Sequence, residues 1–371
     1  MKFTISSSEL SAILNTSSSV IGSNSVLPIV EDFLFNIQGE TLEITATNLE
    51  NTIVTTMDVS SEEDIKIAIP AKILIETMKS LPEQPVTFDI NPDNFAIELT
   101  TAFGKYKLAG DNPEEFPETS TNQDTESFKL SGKTLENAIT KTIFATSSDE
   151  LRLAMMGVYM QIDFNTVTFV ATDAHKLVKY QFGSIESDQT ASMILPKKGL
   201  ILLKNSISGG DDVQISFNQK NVFFEFDKTT IICRLIDAKY PDYNSVIPLE
   251  NPQILKINRT DLINSLKRIN IYANKTTNQA VFNLSDKSLT ISTQDLDFSN
   301  EATEQIACDY IGEPMSIGFN VKFLAEMLSV IGNKEIEIQM STPNRPGILV
   351  PTDQNENEDL LMLVMPLMAS Y

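Results

Sequence analysis

The order in which apolar and polar positions follow one another repeats three times along this chain. FTISSSELSAIL from Phe3, FKLSGKTLENAI from Phe128 and LKINRTDLINSL from Leu255 each open with a short alternating run. Polar residues suited to a helix N-cap follow, and then apolar positions at helical spacing. These are Leu10, Ile13 and Leu14; Leu135, Ala138 and Ile139; and Leu262, Leu266 and Ile269. A strand and then an amphipathic helix are therefore expected in each copy. A second trio, AIPAKILIETMKSL, ILPKKGLILLKNSI and GFNVKFLAEMLSVI, predicts a second helix per copy. Pro70 and Pro196 suit a first helical turn, and Asn320 fills the same slot as a cap. Strand-like alternation occupies the rest, as in LEITATNLENTIVTTMDV, VTFVATDAHKLVKYQF and VQISFNQKNVFFEF.

The period is about 125 residues, far beyond that of a solenoid. Strands follow strands, so each copy is an α+β unit of two helices and antiparallel sheet rather than a βαβ array. Seams fall at DNPEEFPETSTNQDTES (from Asp111) and PLENPQ (from Pro248), which divides the chain into 1–124, 125–251 and 252–371. PTDQNENEDL, from Pro351, predicts a loop before a closing strand LLMLVMPL. With 371 residues, 42% of them hydrophobic, more than one core can be buried.

Net charge is −22, from 28 Lys+Arg and 50 Asp+Glu. Spread evenly, that balance repels phosphate and argues against nucleic acid. The spread is uneven. The six predicted helices (8–21, 71–81, 131–144, 196–208, 259–275 and 320–332) hold 12 basic and 5 acidic residues, against 16 and 45 elsewhere. Lys72, Lys198 and Lys322 occupy equivalent slots in the second helices. Lys141 and Arg268 do so in the first helices, with Thr16 in copy one, and Lys197, Lys204 and Lys267 lie on the same elements. Lysines also decorate the solvent face of ordinary helices. Because charges are screened over roughly 8 Å at physiological salt, a cationic surface can coexist with an acidic one. Such a surface holds phosphates without reading bases.

Enzyme chemistry finds little support. GKT at Gly132 to Thr134 lacks the earlier glycine of a phosphate loop, because Ser127 stands there. His175 is the sole histidine, so a two-histidine metal site is excluded. A nucleophilic set of Asp173, His175 and Cys233 is conceivable, but nothing in the sequence brings them together. Cys233 and Cys308 sit in strand-like apolar surroundings and are expected as reduced thiols. The start lacks the basic end and apolar run of a signal peptide, and no run of about 18 apolar residues exists. A cytoplasmic protein without cofactor or membrane contact is expected.

Several segments, in order and spacing, resemble the bacterial sliding clamp, the β subunit of DNA polymerase III. They are MKFT at the start, ATDAHKLV (from Ala171), LPKKGL (from Leu195), LIDAKYPDYNSVIP (from Leu235), IGFNV (from Ile317) and VMPL (from Val364). The resemblance covers the whole chain. It implies a non-enzymatic processivity factor, in which two chains close head to tail into a ring around duplex DNA, with helices lining the hole. It adds Arg152 to the DNA-facing candidates. It places the dimer contact at Lys105, Tyr106, Lys107 and Leu108 on one side. Opposite lie Ile271 and Tyr272, with acids among Asp295, Asp297, Glu301 and Glu304. An ordinary edge strand guarded by lysines remains the other meaning of FGKYKL.

The resemblance also implies a pocket where replicative polymerase, clamp loader and repair proteins insert short peptides. Matching positions are Met155, Thr172, His175, Lys176, Leu177, Pro241, Val246, Val364, Met365, Pro366 and Leu367. Flexible methionines in an apolar groove suit many partners, although VMPL also reads as a plain buried strand. Departures from the family pattern are the extra tail MASY (368–371), Ser245 and Asn24 where basic residues are common, and Glu9 with no lysine in the first helix.

Overall fold

The computed structural model describes residues 1–22, 26–61, 63–122, 125–183 and 190–368. Asn24 and most of the tail, 369–371, lie outside them. Six helices form at the expected places: α1 (Ser7–Ser17), α2 (Ala71–Ser80), α3 (Gly132–Thr142), α4 (Lys197–Ser206), α5 (Arg259–Tyr272) and α6 (Val321–Val330). α1 stops short of the predicted Ile21. Ser18 and Ser19 turn their hydroxyls back onto the carbonyls of Asn15 (2.8 Å) and Thr16 (2.6 Å), which competes with further helix. Pro70 and Pro196 are not first-turn residues, because each ends the preceding strand. Pro70 is extended at φ −53°, ψ 115°. Asn320 caps α6 as expected, its side chain accepting from the N–H groups of Lys322 and Phe323.

Two compact units result, residues 1–136 with 198–235, and residues 137–197 with 236–371. The middle repeat contributes to both. In the first unit a five-stranded sheet ends on strand Lys105–Ala109, and an eight-stranded sheet runs from Glu126–Ser131 to Ile65–Pro70. In the second unit a nine-stranded sheet runs from Ala191–Pro196 to Asp309–Ile311, and a four-stranded sheet ends on strand Asn300–Ala307. α1 packs on α2, and α5 packs on α6. Apolar positions named from periodicity are buried: Leu10, Leu14, Leu135, Ile139, Leu262, Leu266 and Ile269.

Each large sheet is built across a repeat boundary. Strand Asn51–Asp58 of copy one pairs antiparallel with Thr229–Arg234 of copy two, with Thr55 opposite Thr229 and Asn51 opposite Cys233. Strand Lys176–Gly183 of copy two pairs likewise with Glu358–Val364 of copy three, with Lys176 opposite Val364. The two ladders end alike. The Arg234 N–H donates to the Glu50 carbonyl (2.8 Å), and the Met365 N–H donates to the His175 carbonyl (2.8 Å).

A buried carboxyl pair sits in copy one. Asp32 begins strand Asp32–Gln38, is buried, and hydrogen-bonds to Asp111. Burial, then the Asp111 contact, then the neighbouring Glu31 charge raise its pKa to about 7. The folded state therefore holds this proton more tightly than the unfolded chain, whose carboxyl titrates near 3.8. The stability it contributes is complete below the unfolded value and is lost as pH rises through about 7. Asp32→Asn keeps a donor to Asp111 without the charge. At pH 8 it is expected to stabilise the protein by about 2 kcal/mol and to flatten the fall in Tm between pH 5 and 8. Parallel Tm–pH curves for both proteins would refute this.

Candidate functional site

The segment that carries the predicted pocket residues lies within the second unit. Strand Thr166–Thr172 turns through Asp173 and Ala174 into Lys176–Gly183. The Asp173 carboxylate caps that turn by accepting from the N–H groups of His175 and Lys176 (both 2.9 Å), and the Thr172 hydroxyl donates to the Lys176 carbonyl. Ala174 takes positive φ there. His175 is thus presented at an exposed turn, and its ring lies near parallel to Phe323 on α6, 6.3 Å between centroids.

The C-terminal segment runs beside it. Val364 is fully buried in the ladder, Met365 bonds to His175, and the Leu367 N–H donates to the Gly318 carbonyl (2.8 Å). Gly318 has to be glycine, because a Cβ would come within 2.6 Å of the Leu367 carbonyl oxygen. Beneath lies an apolar cluster of Val170, Leu177, Ile194, Tyr240, Ile348 and Leu363, with Tyr159, Tyr243 and Ile247 packed on it. Tyr159 stacks on Tyr240 (4.7 Å), whose hydroxyl donates to the Val170 carbonyl.

The predicted pocket residues therefore divide. Met155, His175, Pro241, Val246, Met365, Pro366 and Leu367 are exposed or half-buried. Thr172, Leu177 and Val364 are buried and form the frame. Lys176 is buried too, and its ammonium is committed: Glu326 lies at 2.9 Å, Asp173 at 3.2 Å, and the Phe323 ring face at 4.3 Å. It ties copy two to α6 of copy three. Tyr159, Tyr240 and Tyr243 of this cluster were not among the expected residues, although YPDYNSVIP carries two of them.

The basic candidates divide in the same way. Lys72, Lys198, Lys267 and Lys322 are exposed, and Lys197 and Lys204 are half-buried. None of these six forms an ion pair among the described residues. Lys141 differs, because its ammonium pairs with Glu358 (3.3 Å) and sits 4.0 Å above the Tyr180 ring. Arg268 makes a two-pronged bond to Glu304, both contacts at 2.7 Å, which holds the Glu304 carboxyl below its usual pKa. Arg152 bridges the Asp149 carboxylate and the Asp173 carbonyl, and so braces the His175 turn.

Tyr106 and Lys107 are exposed on one sheet edge, beside Lys105, which pairs with Glu98, and half-buried Leu108. Ile271 and Tyr272 are exposed at the end of α5, and Glu301 lies on the other sheet edge. Asp295 does not face outward. It is buried and accepts from Asn274 and the Asp297 N–H inside its own hairpin. Exposed Phe103, Leu296 and Phe298 were not expected at these edges.

Two enzyme candidates fall away. The Gly132 N–H donates to the Asp211 carbonyl, and a Cβ there would strike the Ser208 carbonyl, so this glycine serves a close backbone approach. Cys233 is fully buried in the first unit, and burial pushes its thiol up to about 12. A thiolate nucleophile near neutral pH is incompatible with that environment.

Family models for the DNA polymerase III beta subunit match the chain from end to end: the N-terminal domain at residues 1–120, the central domain at 129–242 and the C-terminal domain at 244–368. The chain belongs to the DNA polymerase III beta subunit family. The beta sliding clamp of Synechococcus elongatus is 29% identical over 379 residues, and that of Pseudomonas aeruginosa 27% over 370, with at least 99% of each chain covered. A crystal structure of the P. aeruginosa DnaN sliding clamp bound to griselimycin superimposes with TM-score 0.94 at 25% identity, over all of both chains. The Bacillus subtilis clamp shares the fold at TM-score 0.94 and 21% identity. Sliding clamps are processivity factors in DNA replication and catalyse no reaction.

Proposed function

We propose that this chain is the sliding clamp of its cell's replicative polymerase. Two copies close head to tail around duplex DNA in the cytoplasm, and tether polymerase, clamp loader and repair proteins through short peptides. The repeats 1–124, 125–251 and 252–371 act as its three clamp domains, and no cofactor is required. Family membership over the whole chain carries the function. Support for the closure comes from the repeat boundaries. Two boundaries are sealed by the same strand pairing, and the equivalent strands of the third boundary, Lys105–Ala109 and Asn300–Ala307, stand unpaired at sheet edges. Their charges are complementary, Lys105 and Lys107 against Glu301 and Glu304. Carrying the internal registers over places Glu301 opposite Tyr106, and Asn300 opposite Lys107, of the partner. Ring closure then requires each chain to offer one edge of each kind.

Loading by the clamp-loader ATPase onto nicked circular DNA tests this. Retention at moderate salt with release on linearisation is expected, and release from the intact circle would leave only a binding module of clamp fold. The phosphate-holding set is Lys72, Lys198, Lys322, Lys197, Lys204 and Lys267, with Arg152, Lys141 and Arg268 constrained by their ion pairs. Changing Lys72, Lys198 and Lys322 together to Glu is expected to weaken binding to linear duplex. Two chains carry six of these lysines, so the slope of log K against log salt should shrink by up to roughly 5. An unaltered slope would show that these lysines face only solvent.

A further inference from the structure

We infer that Phe298 of one chain docks on Ile73 of a second copy, making an apolar contact at the ring-closing junction; this rests on the head-to-tail dimer proposed above. The residues are matched by equivalence within the chain. Three hairpins close with the same spacing: Thr47 opposite Thr52, Thr172 opposite Leu177, and Asp295 opposite Asn300. Glu50, His175 and Phe298 therefore hold one position, and Asn51, Lys176 and Ser299 the next. In the second helices, Lys72, Lys198 and Lys322 are equivalent, so Ile73, Gly199 and Phe323 are as well.

In both internal junctions the tail of that hairpin lies on this position of the following copy's second helix. Asn51 Oδ1 sits against Gly199, within 2.6 Å of where a Cβ would stand. The His175 ring stacks over Phe323, and the Lys176 ammonium lies above the same ring. The third junction has the corresponding parts without the cover. Phe298 is 74% exposed and Ile73 48% exposed. Two large apolar side chains left in water at matched positions are what an interface between copies leaves behind in a single chain. The complementary lysines and glutamates on the adjoining edges commit the occupant to a second copy of this chain. The pair resembles the His175–Phe323 contact, with the aromatic on the hairpin and an aliphatic on the helix.

Dimer dissociation, measured by sedimentation or dilution fluorescence on the full chain, tests the contact. Phe298→Lys and Ile73→Glu are each expected to raise the dimer Kd about tenfold per junction. Combined in one chain they place a lysine opposite a glutamate at both junctions, and the Kd is expected to return to within about threefold of the native value. Both positions are exposed, so an unchanged Tm confirms that each variant folds. Losses that add instead of cancelling would overturn the contact. The Tyr106→Glu, Lys107→Glu chain separates this inference from the dimer proposal. If that chain becomes monomeric while Phe298→Lys leaves the Kd unchanged, the contact alone is wrong. If neither variant weakens the dimer, the interface itself is wrong.

Discussion

A chain carrying Tyr106→Glu and Lys107→Glu is expected to sediment as a monomer and to be lost from nicked circular DNA. Both side chains are exposed on the outer strand of the five-stranded sheet, so little folding stability depends on them. The Lys107–Glu98 ion pair that would be lost is a solvent-facing one of small worth. Across the proposed junction the same positions face Glu301 and Asn300. Two added carboxylates would set a negative charge directly against Glu301, take away the Lys107 cation beside it, and remove the aromatic Tyr106. A strand pair with like charges opposed is destabilised, and the penalty grows when water is excluded. The dimer Kd should rise about a hundredfold or more, since a ring has two such junctions. A dimer of native strength would remove the closure proposal and leave FGKYKL as a lysine-guarded edge strand.

Removing residues 365–371 is expected to lower the affinity of a polymerase-derived peptide by at least tenfold while the dimer persists. The cut belongs after Val364. That residue is fully buried opposite Lys176, so removing it would damage the sheet that frames the site and would confuse loss of fold with loss of pocket. Met365, by contrast, is 38% exposed, and Met365–Leu367 are held to the body chiefly by backbone bonds to His175 and Gly318. Met365→Ala is the smaller version of the same change and should weaken the peptide without moving Tm. Fluorescence anisotropy of a labelled peptide reads both, and unchanged affinity in the truncated chain would place the pocket elsewhere.

The repeat, the six helices and their buried faces were legible because periodicity reports which side of an element meets the core. Leu14 and Leu266 are buried for the reason their spacing suggested. Helix ends were less legible. The run Thr16–Ser19 looks neutral in a pattern, yet its hydroxyls compete for the last carbonyls of α1. Site chemistry was legible in residue type and not in state. Lys141 and Lys322 look alike in sequence, but Glu358 neutralises the first from 217 positions away. Lys176 was expected among the pocket residues and is a buried tie between repeats. Phe298 went unnoticed because a lone aromatic in a polar hairpin carries no period. Only the matched junctions make its position meaningful.

The sheets that cross repeat boundaries also govern how the polypeptide can be divided. A middle repeat expressed alone would expose the long sides of 176–183 and 229–234, stripped of the strands that pair with them. Such raw sides recruit other chains. The three repeats are therefore bound to one another during biosynthesis. The middle one has no safe resting state until strand 358–364 has taken its place.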